Sequence, residues 1–225
     1  MNPPRYVTCS LPGIRCFAAA VPEGLGVRVG ADCVVQTGGG PEFCRIRLVL
    51  DEAAGGSPAG QVLRLATAED QARERTNRAL AEEAIRLFDA EVAAAPQGVH
   101  AVSARFNLDR SRLALVYHAD QRFDARRAAA SLNRRYRSAV EARQIGIRDE
   151  TATLGGIGSC GRAVCCATWL RAFRPVNVRM AKAQALSLNP AAINGCCGRL
   201  KCCLRYELAL PEAAAAGEGD EEGDT

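Results

Sequence analysis

Seven of the chain's eleven cysteines fall between residues 160 and 203. Six of them belong to two stretches, CGRAVCC at 160–166 and CGRLKCC at 197–203, that share the frame Cys-Gly-Arg-x-x-Cys-Cys, and Cys196 directly precedes the second. A doubled all-thiol pattern points to a soft-metal centre, because thiolate is the ligand common to structural zinc and iron–sulphur clusters. Neighbouring side chains diverge, on opposite faces of a strand or ~100° apart on a helix. Each copy therefore most naturally offers its first cysteine and one of its vicinal pair. Cys160 with Cys165, and Cys197 with Cys202, supply four thiolates and leave Cys166, Cys203 and Cys196 over. Zinc knuckles usually use a gap of two to four residues and seldom waste ligands, so the spare thiols favour an iron–sulphur cluster over zinc. Spare thiols beside one centre could also complete a second cluster with another chain's cysteines. Gly161 and Gly198 let backbone N–H groups approach sulphur, and Arg162 and Arg199 offset clustered thiolate charge.

Other chemistry has little footing. Gly156-Ile-Gly158-Ser-Cys-Gly161 matches the dinucleotide fingerprint G-x-G-x-x-G. That motif needs a preceding strand and a later ribose-binding acid, whereas RDETATL precedes it and residues 151–206 contain no acid. His100 and His118 fall at the outer ends of an expected hairpin and read as strand residues. No nucleophile elbow occurs, and the expectation is a protein that is not an enzyme. Trp169 and Phe173, read as one helical turn apart, are expected to pack the cysteine-rich lobe or face a partner.

Charge is unevenly spread behind a formal +4. Residues 151–210 hold eight bases and one acid, while the last fifteen residues hold six acids and no base. A basic lobe of this kind could attract nucleic acid, and a zinc-stabilised nucleic-acid-binding module is the alternative reading. No apolar run reaches the ~18–20 residues of a membrane span. The opening MNPPRYVTCSLPGIRC lacks the apolar block of a secretory signal, so a cytoplasmic chain with reduced thiols is expected. Cys9, Cys16, Cys33 and Cys44, scattered through the first fifty residues, each read as small buried hydrophobes.

The elements that must carry this chemistry follow from period and punctuation. RCFAAAV, GVRV, CVVQT and FCRIRLVL are short apolar or alternating runs, giving a β-rich segment over residues 1–60 that ends in the loop-like DEAAGGSPAG. Thr67 with Asp70 starts a capping box for a helix from about 68 to 95, with Leu80, Ala84, Leu87, Phe88 and Val92 on one face. Strands about Val102–Phe106 and Leu113–Tyr117 flank the turn NLDRS. A second helix capped by Asp124 and a third strand in SAVEARQIGI complete an α+β unit over 61–150. It is layered like half of a ferredoxin-like sandwich. Residues 151–207 form the cysteine-rich, metal-binding lobe, with short helices expected in RAVCCATWLRAF and VRMAKAQAL, and 208–225 a disordered acidic tail. The expected class is therefore α+β in three parts.

The stretches LGGIGSCGRAVCCATWL, MAKAQALSLNPAAINGCCGRLKCCLRYE, EARQIGIRDE and FNLDRSRLALVYHADQRFDARRAAASL resemble the YaaT (RicT) type cell-fate regulators. These belong to the polymerase-suppressor-protein-one C-terminal domain family. The resemblance implies a non-enzymatic bacterial regulator that carries iron–sulphur clusters, [4Fe–4S] in type. It would work with two small helical partners, YlbF and YmcA, and act on mRNA processing through endoribonuclease Y, hence on sporulation, competence and biofilm decisions. Carried over by position, the ligand candidates are Cys160, Cys165, Cys166, Cys197, Cys202 and Cys203. Cys196 is an extra thiol that makes ligand choice in the second copy ambiguous.

Overall fold

The computed structural model describes residues 5–11, 14–50, 57–95, 98–170 and 173–208. The acidic stretch from 209 onward and most of the loop at 51–60 lie outside them. Chain contacts separate two units, residues 1–145 and 146–225.

The first unit opens with five strands, β1 (Arg5–Leu11), β2 (Ile14–Val21), β3 (Asp32–Thr37), β4 (Gly40–Leu50) and β5 (Gly60–Leu65). They close into a barrel in the order β1-β2-β5-β3-β4, with β4 returning to β1. Alternation drives the closure, since every second residue points inward. Val7, Cys9, Ala19, Val21, Cys33, Val35, Cys44, Ile46 and Val62 form the filling. Cys33 and Cys44 lie directly opposite across β3 and β4. Three of the four early cysteines are thus buried small hydrophobes, while Cys16 is exposed.

Two strands went unread in the sequence, and one expected strand is absent. β1 and β5 were not foreseen, whereas GVRV is a loop between Gly24 and Gly30, at φ 81° and 85°. Those positive φ values turn the chain at both ends, so Val27 packs on the barrel core from a loop. Gly60, the first residue of β5, has no room for a side chain. A Cβ there would lie 2.6 Å from the Gln36 carbonyl oxygen and 2.9 Å from Val35 Cγ1.

The helix α1 (Ala68–Val92) follows, and Thr67 with Asp70 forms the full capping box. Asp70 also accepts from both terminal nitrogens of Arg64, which ties the helix start to β5. Strands β6 (His100–Phe106) and β7 (Arg112–His118), helix α2 (Arg126–Tyr136) and strand β8 (Ala139–Ile145) complete the unit. Asp124 Oδ1 accepts from the Arg126 backbone N–H at the start of α2, although the residue immediately before the helix is Ala125. Both helices supply side chains to one core with Phe106, Leu113, Leu115 and Tyr117. A ferredoxin-like half would be antiparallel throughout. Here β8 instead lies parallel to β7 through the α2 crossover, in the order β6-β7-β8. The turn NLDRS is more than a connection. Asn107 donates to the Gly39 carbonyl, and Asn77 of α1 donates to Asn107 O and accepts from Arg110, binding turn, helix and barrel together. No helix among the described residues is long and apolar enough to cross a membrane.

Candidate metal centre

Among the described residues of the second unit, the buried core cluster is small, formed by Met180, Ala181, Ile193 and Leu204. Its helices are short, namely α3 (Ile147–Leu154), α4 (Val178–Ala183) and α5 (Pro190–Ile193). Helix α3 occupies the place where a dinucleotide fingerprint would need a strand. Among the described residues of 162–173 no α-helix forms, and the chain makes a single 3-10 turn, Cys165–Ala167. The Thr168 hydroxyl donates to the Val164 and Cys165 carbonyls, and Leu170 N–H reaches Cys165 O, so the turn closes instead of propagating. Trp169 and Phe173 are therefore not neighbours on a helix. Trp169 sits edge-on to Tyr206 at 4.6 Å, and Phe173 lies under the Arg148 guanidinium.

The doubled sequence frame is a doubled structure. Ile157 bridges Ala163 in the first copy as Asn194 bridges Leu200 in the second. Gly158 N–H donates to Arg162 O at 2.8 Å, and Gly195 N–H to Arg199 O at 2.8 Å. Gly161 N–H reaches back to Gly158 O, and Gly198 N–H to Gly195 O, both at 2.9 Å. This is a tight hairpin whose turn ends on a residue in the left-handed region, at φ 76° for Gly161 and 71° for Gly198. The glycines are thus required by the turn itself. In each copy the first thiol folds back over a glycine, Cys160 Sγ 3.6 Å from a Cβ built on Gly158 and Cys197 Sγ 3.8 Å from one on Gly195. The equivalence extends to Trp169 and Tyr206, which the offset relating Cys160 to Cys197 places at matching positions.

The two hairpins bring thiols from both copies together. Burial pushes the Cys166 thiol up, and the charge of Cys202 and then Cys197 pushes the same way. Burial also raises Cys202; Arg148 opposes it, while Cys165 and Cys197 add to it. Cys203 is pushed up to about 11, first by burial and then by Glu207, Cys165 and Cys202. The charge of thiols in one copy thus reaches thiols in the other, Cys202 and Cys197 acting on Cys166, and Cys165 on Cys202 and Cys203. Cys160 is exposed. Cys196 is exposed too, and its thiol donates to the Ile157 carbonyl at 3.1 Å, joining the second hairpin to the first. Among the described residues no three His, Cys, Asp or Glu side chains stand at the spacing that holds a metal ion. The donors that the two hairpins offer are all sulphur, a chemistry that suits zinc or iron–sulphur and not hard cations.

His100 and His118 face each other at the end of the β6–β7 ladder, ring centres 5.3 Å apart. Arg148 was not singled out from the sequence. It donates from Nη2 to Leu200 O at 3.2 Å, inside the second hairpin. In the sequence it is only an arginine in EARQIGIRDE, about fifty residues before the hairpin that it holds.

Residues 60–145, from β5 to β8, match the PSP1 C-terminal conserved region, and residues 175–215 match the third domain of PSP1-like proteins. The chain is 37% identical over 189 residues to the stage 0 sporulation protein YaaT of Bacillus subtilis (strain 168), covering 83% of this chain and 69% of that relative. No solved structure matches.

Proposed function

The chain belongs to the PSP1 family of YaaT-like proteins, and from that premise we propose that it is a non-catalytic regulatory adaptor whose lobe holds an iron–sulphur cluster of the [4Fe–4S] type. The observation that carries this reading is the hairpin built twice with the same hydrogen bonds, each copy presenting thiols whose sulphur chemistry suits such a centre. Cys165, Cys202 and Cys197 would hold the centre with Cys160, and of the remaining pair the half-buried Cys203, and not the buried Cys166, would be available to a partner. When bound, such a centre supplies a crosslink between the two copies and a sensitivity to oxidants and iron supply. The chain's own contribution is to present sulphur from two tight turns whose N–H groups are spent on their own carbonyls, and to set cations around it. With so small a core cluster, lobe order would depend on the centre, so loading would complete the site and govern what docks on it. By family resemblance the docking partners are small helical proteins of the YlbF and YmcA kind. The output is mRNA processing by endoribonuclease Y and, as the relative's name suggests, sporulation.

Cys202→Ser and Cys165→Ser are the test, with the exposed barrel residue Cys16→Ser as control. Anaerobically reconstituted chain should lose most of its iron and acid-labile sulphide in the first two variants and none in the third. Full loading in both lobe variants refutes the assignment.

One observation favours a second reading, the zinc-stabilised nucleic-acid module. Among the described residues Arg162, Arg174, Arg179, Arg199 and Arg205 of the lobe meet no carboxylate. Stoichiometric zinc together with RNA affinity that falls steeply with salt would select that reading.

A further inference from the structure

Arg148 stands apart from the other lobe cations. It sits in the first turn of α3 and makes three distinct relations. Its Nη2 donates to Leu200 O at 3.2 Å, so it grips the backbone rung that closes the second hairpin. Its guanidinium carbon lies 5.3 Å over the Phe173 ring, which fixes the plane of the fork. Its Nε is buried and finds no acceptor among the described residues. A guanidinium N–H donor kept from water and left unbonded is uncommon, because its desolvation is then uncompensated. Leu200, whose carbonyl it grips, lies two residues before Cys202 in the second hairpin. The offset that relates the two hairpins puts Ala185 at the matching position of the other half, so this cation is supplied once.

We propose that Arg148 is the positioning cation of the thiol centre, holding the second hairpin through Leu200 and presenting its buried Nε–H to sulphur of the bound centre. This rests on the reading of the lobe as a thiolate metal centre. A fixed donor and positive charge beside thiolates lower the cost of gathering like charges, and they orient the ligand that they contact. The same charge stabilises the more negative, reduced form of a cluster, so its loss lowers the reduction potential.

The experiment is an anaerobic Co(II) titration of the reduced full-length chain, followed through the visible bands of tetrahedral thiolate cobalt. It compares wild type, Arg148→Lys, Arg148→Gln and Phe173→Leu. Removing an outer-shell donor characteristically weakens metal binding by about 10–100-fold, and this is the loss expected for Arg148→Gln. Arg148→Lys keeps charge without the fork and falls between. Phe173→Leu frees the fork without deleting it and shifts affinity less, in the same direction. On reconstituted cluster the potential should fall from wild type through Lys to Gln. Affinity and potential in Arg148→Gln equal to wild type overturn the proposal. Equal losses in the Lys and Gln variants with an unchanged potential also overturn it, by reducing Arg148 to a contact that supports the fold. Wild-type chain that takes up no Co(II) removes the centre itself and the proposal with it, which separates the two failures.

Discussion

Alanine at Gly161 and at Gly198 tests whether the two hairpins are the same device. Both glycines occupy the left-handed region, at φ 76° and 71°, and a Cβ built on either meets nothing within 4 Å. The cost of Gly→Ala is then backbone strain with no clash added, roughly 1–2 kcal/mol at each position. For a unit of the lobe's size that corresponds to melting lowered by about 5–10 °C per substitution. Asparagine tolerates the left-handed region and should cost distinctly less than alanine at both sites. Trp169, the chain's single tryptophan, lies in the lobe against Tyr206. Its fluorescence therefore reports lobe melting without interference from the first unit. Gly161→Ala and Gly198→Ala should shift that transition by similar amounts, with each Asn variant nearer wild type. Unequal shifts at the two positions, or alanine tolerated as well as asparagine, would refute the claim that one turn geometry is built twice.

The remaining expectations concern the scaffold. Arg64 first, and then the Thr67 backbone and hydroxyl, hold the Asp70 carboxyl well below the usual carboxylate range. A depressed carboxylate contributes stability that is full above its ordinary value near 3.8 and lost as pH falls through the folded value. Asp70→Asn should therefore lower the melting point of the first unit at pH 7, with the gap to wild type narrowing below about pH 4. A gap independent of pH would contradict this. Gly60→Ala drives a Cβ into the Gln36 carbonyl, and overpacking of this kind costs about 1–3 kcal/mol. Circular-dichroism melting should show the loss, and wild-type stability would show that β5 does not pack against β3 as described.

The sequence carried the helices and the site motif further than it carried the sheet. Thr67 and Asp70 marked the start of α1 because a capping box is local chemistry, legible within four residues. The cysteine frame was legible because it repeats, and its glycines because a tight turn demands them. Barrel closure was not legible. β5 pairs with β3 and β2 across more than twenty residues, and its short run GQVLRL carries no alternation to announce it. The parallel placement of β8 is likewise set by the crossover and not by its own residues. RAVCCATWLRAF has helical spacing, yet Thr168 competes for its own backbone carbonyls and ends the turn. Arg148 escaped notice because its partners, Leu200 and Phe173, are remote in sequence.

The most direct measurement is iron and acid-labile sulphide content, with the visible spectrum, on the full chain purified without oxygen. The account predicts a brown protein with iron and sulphide in equal amounts, bleached by removal of the cluster. A colourless protein with stoichiometric zinc, or with no metal at all, would contradict it.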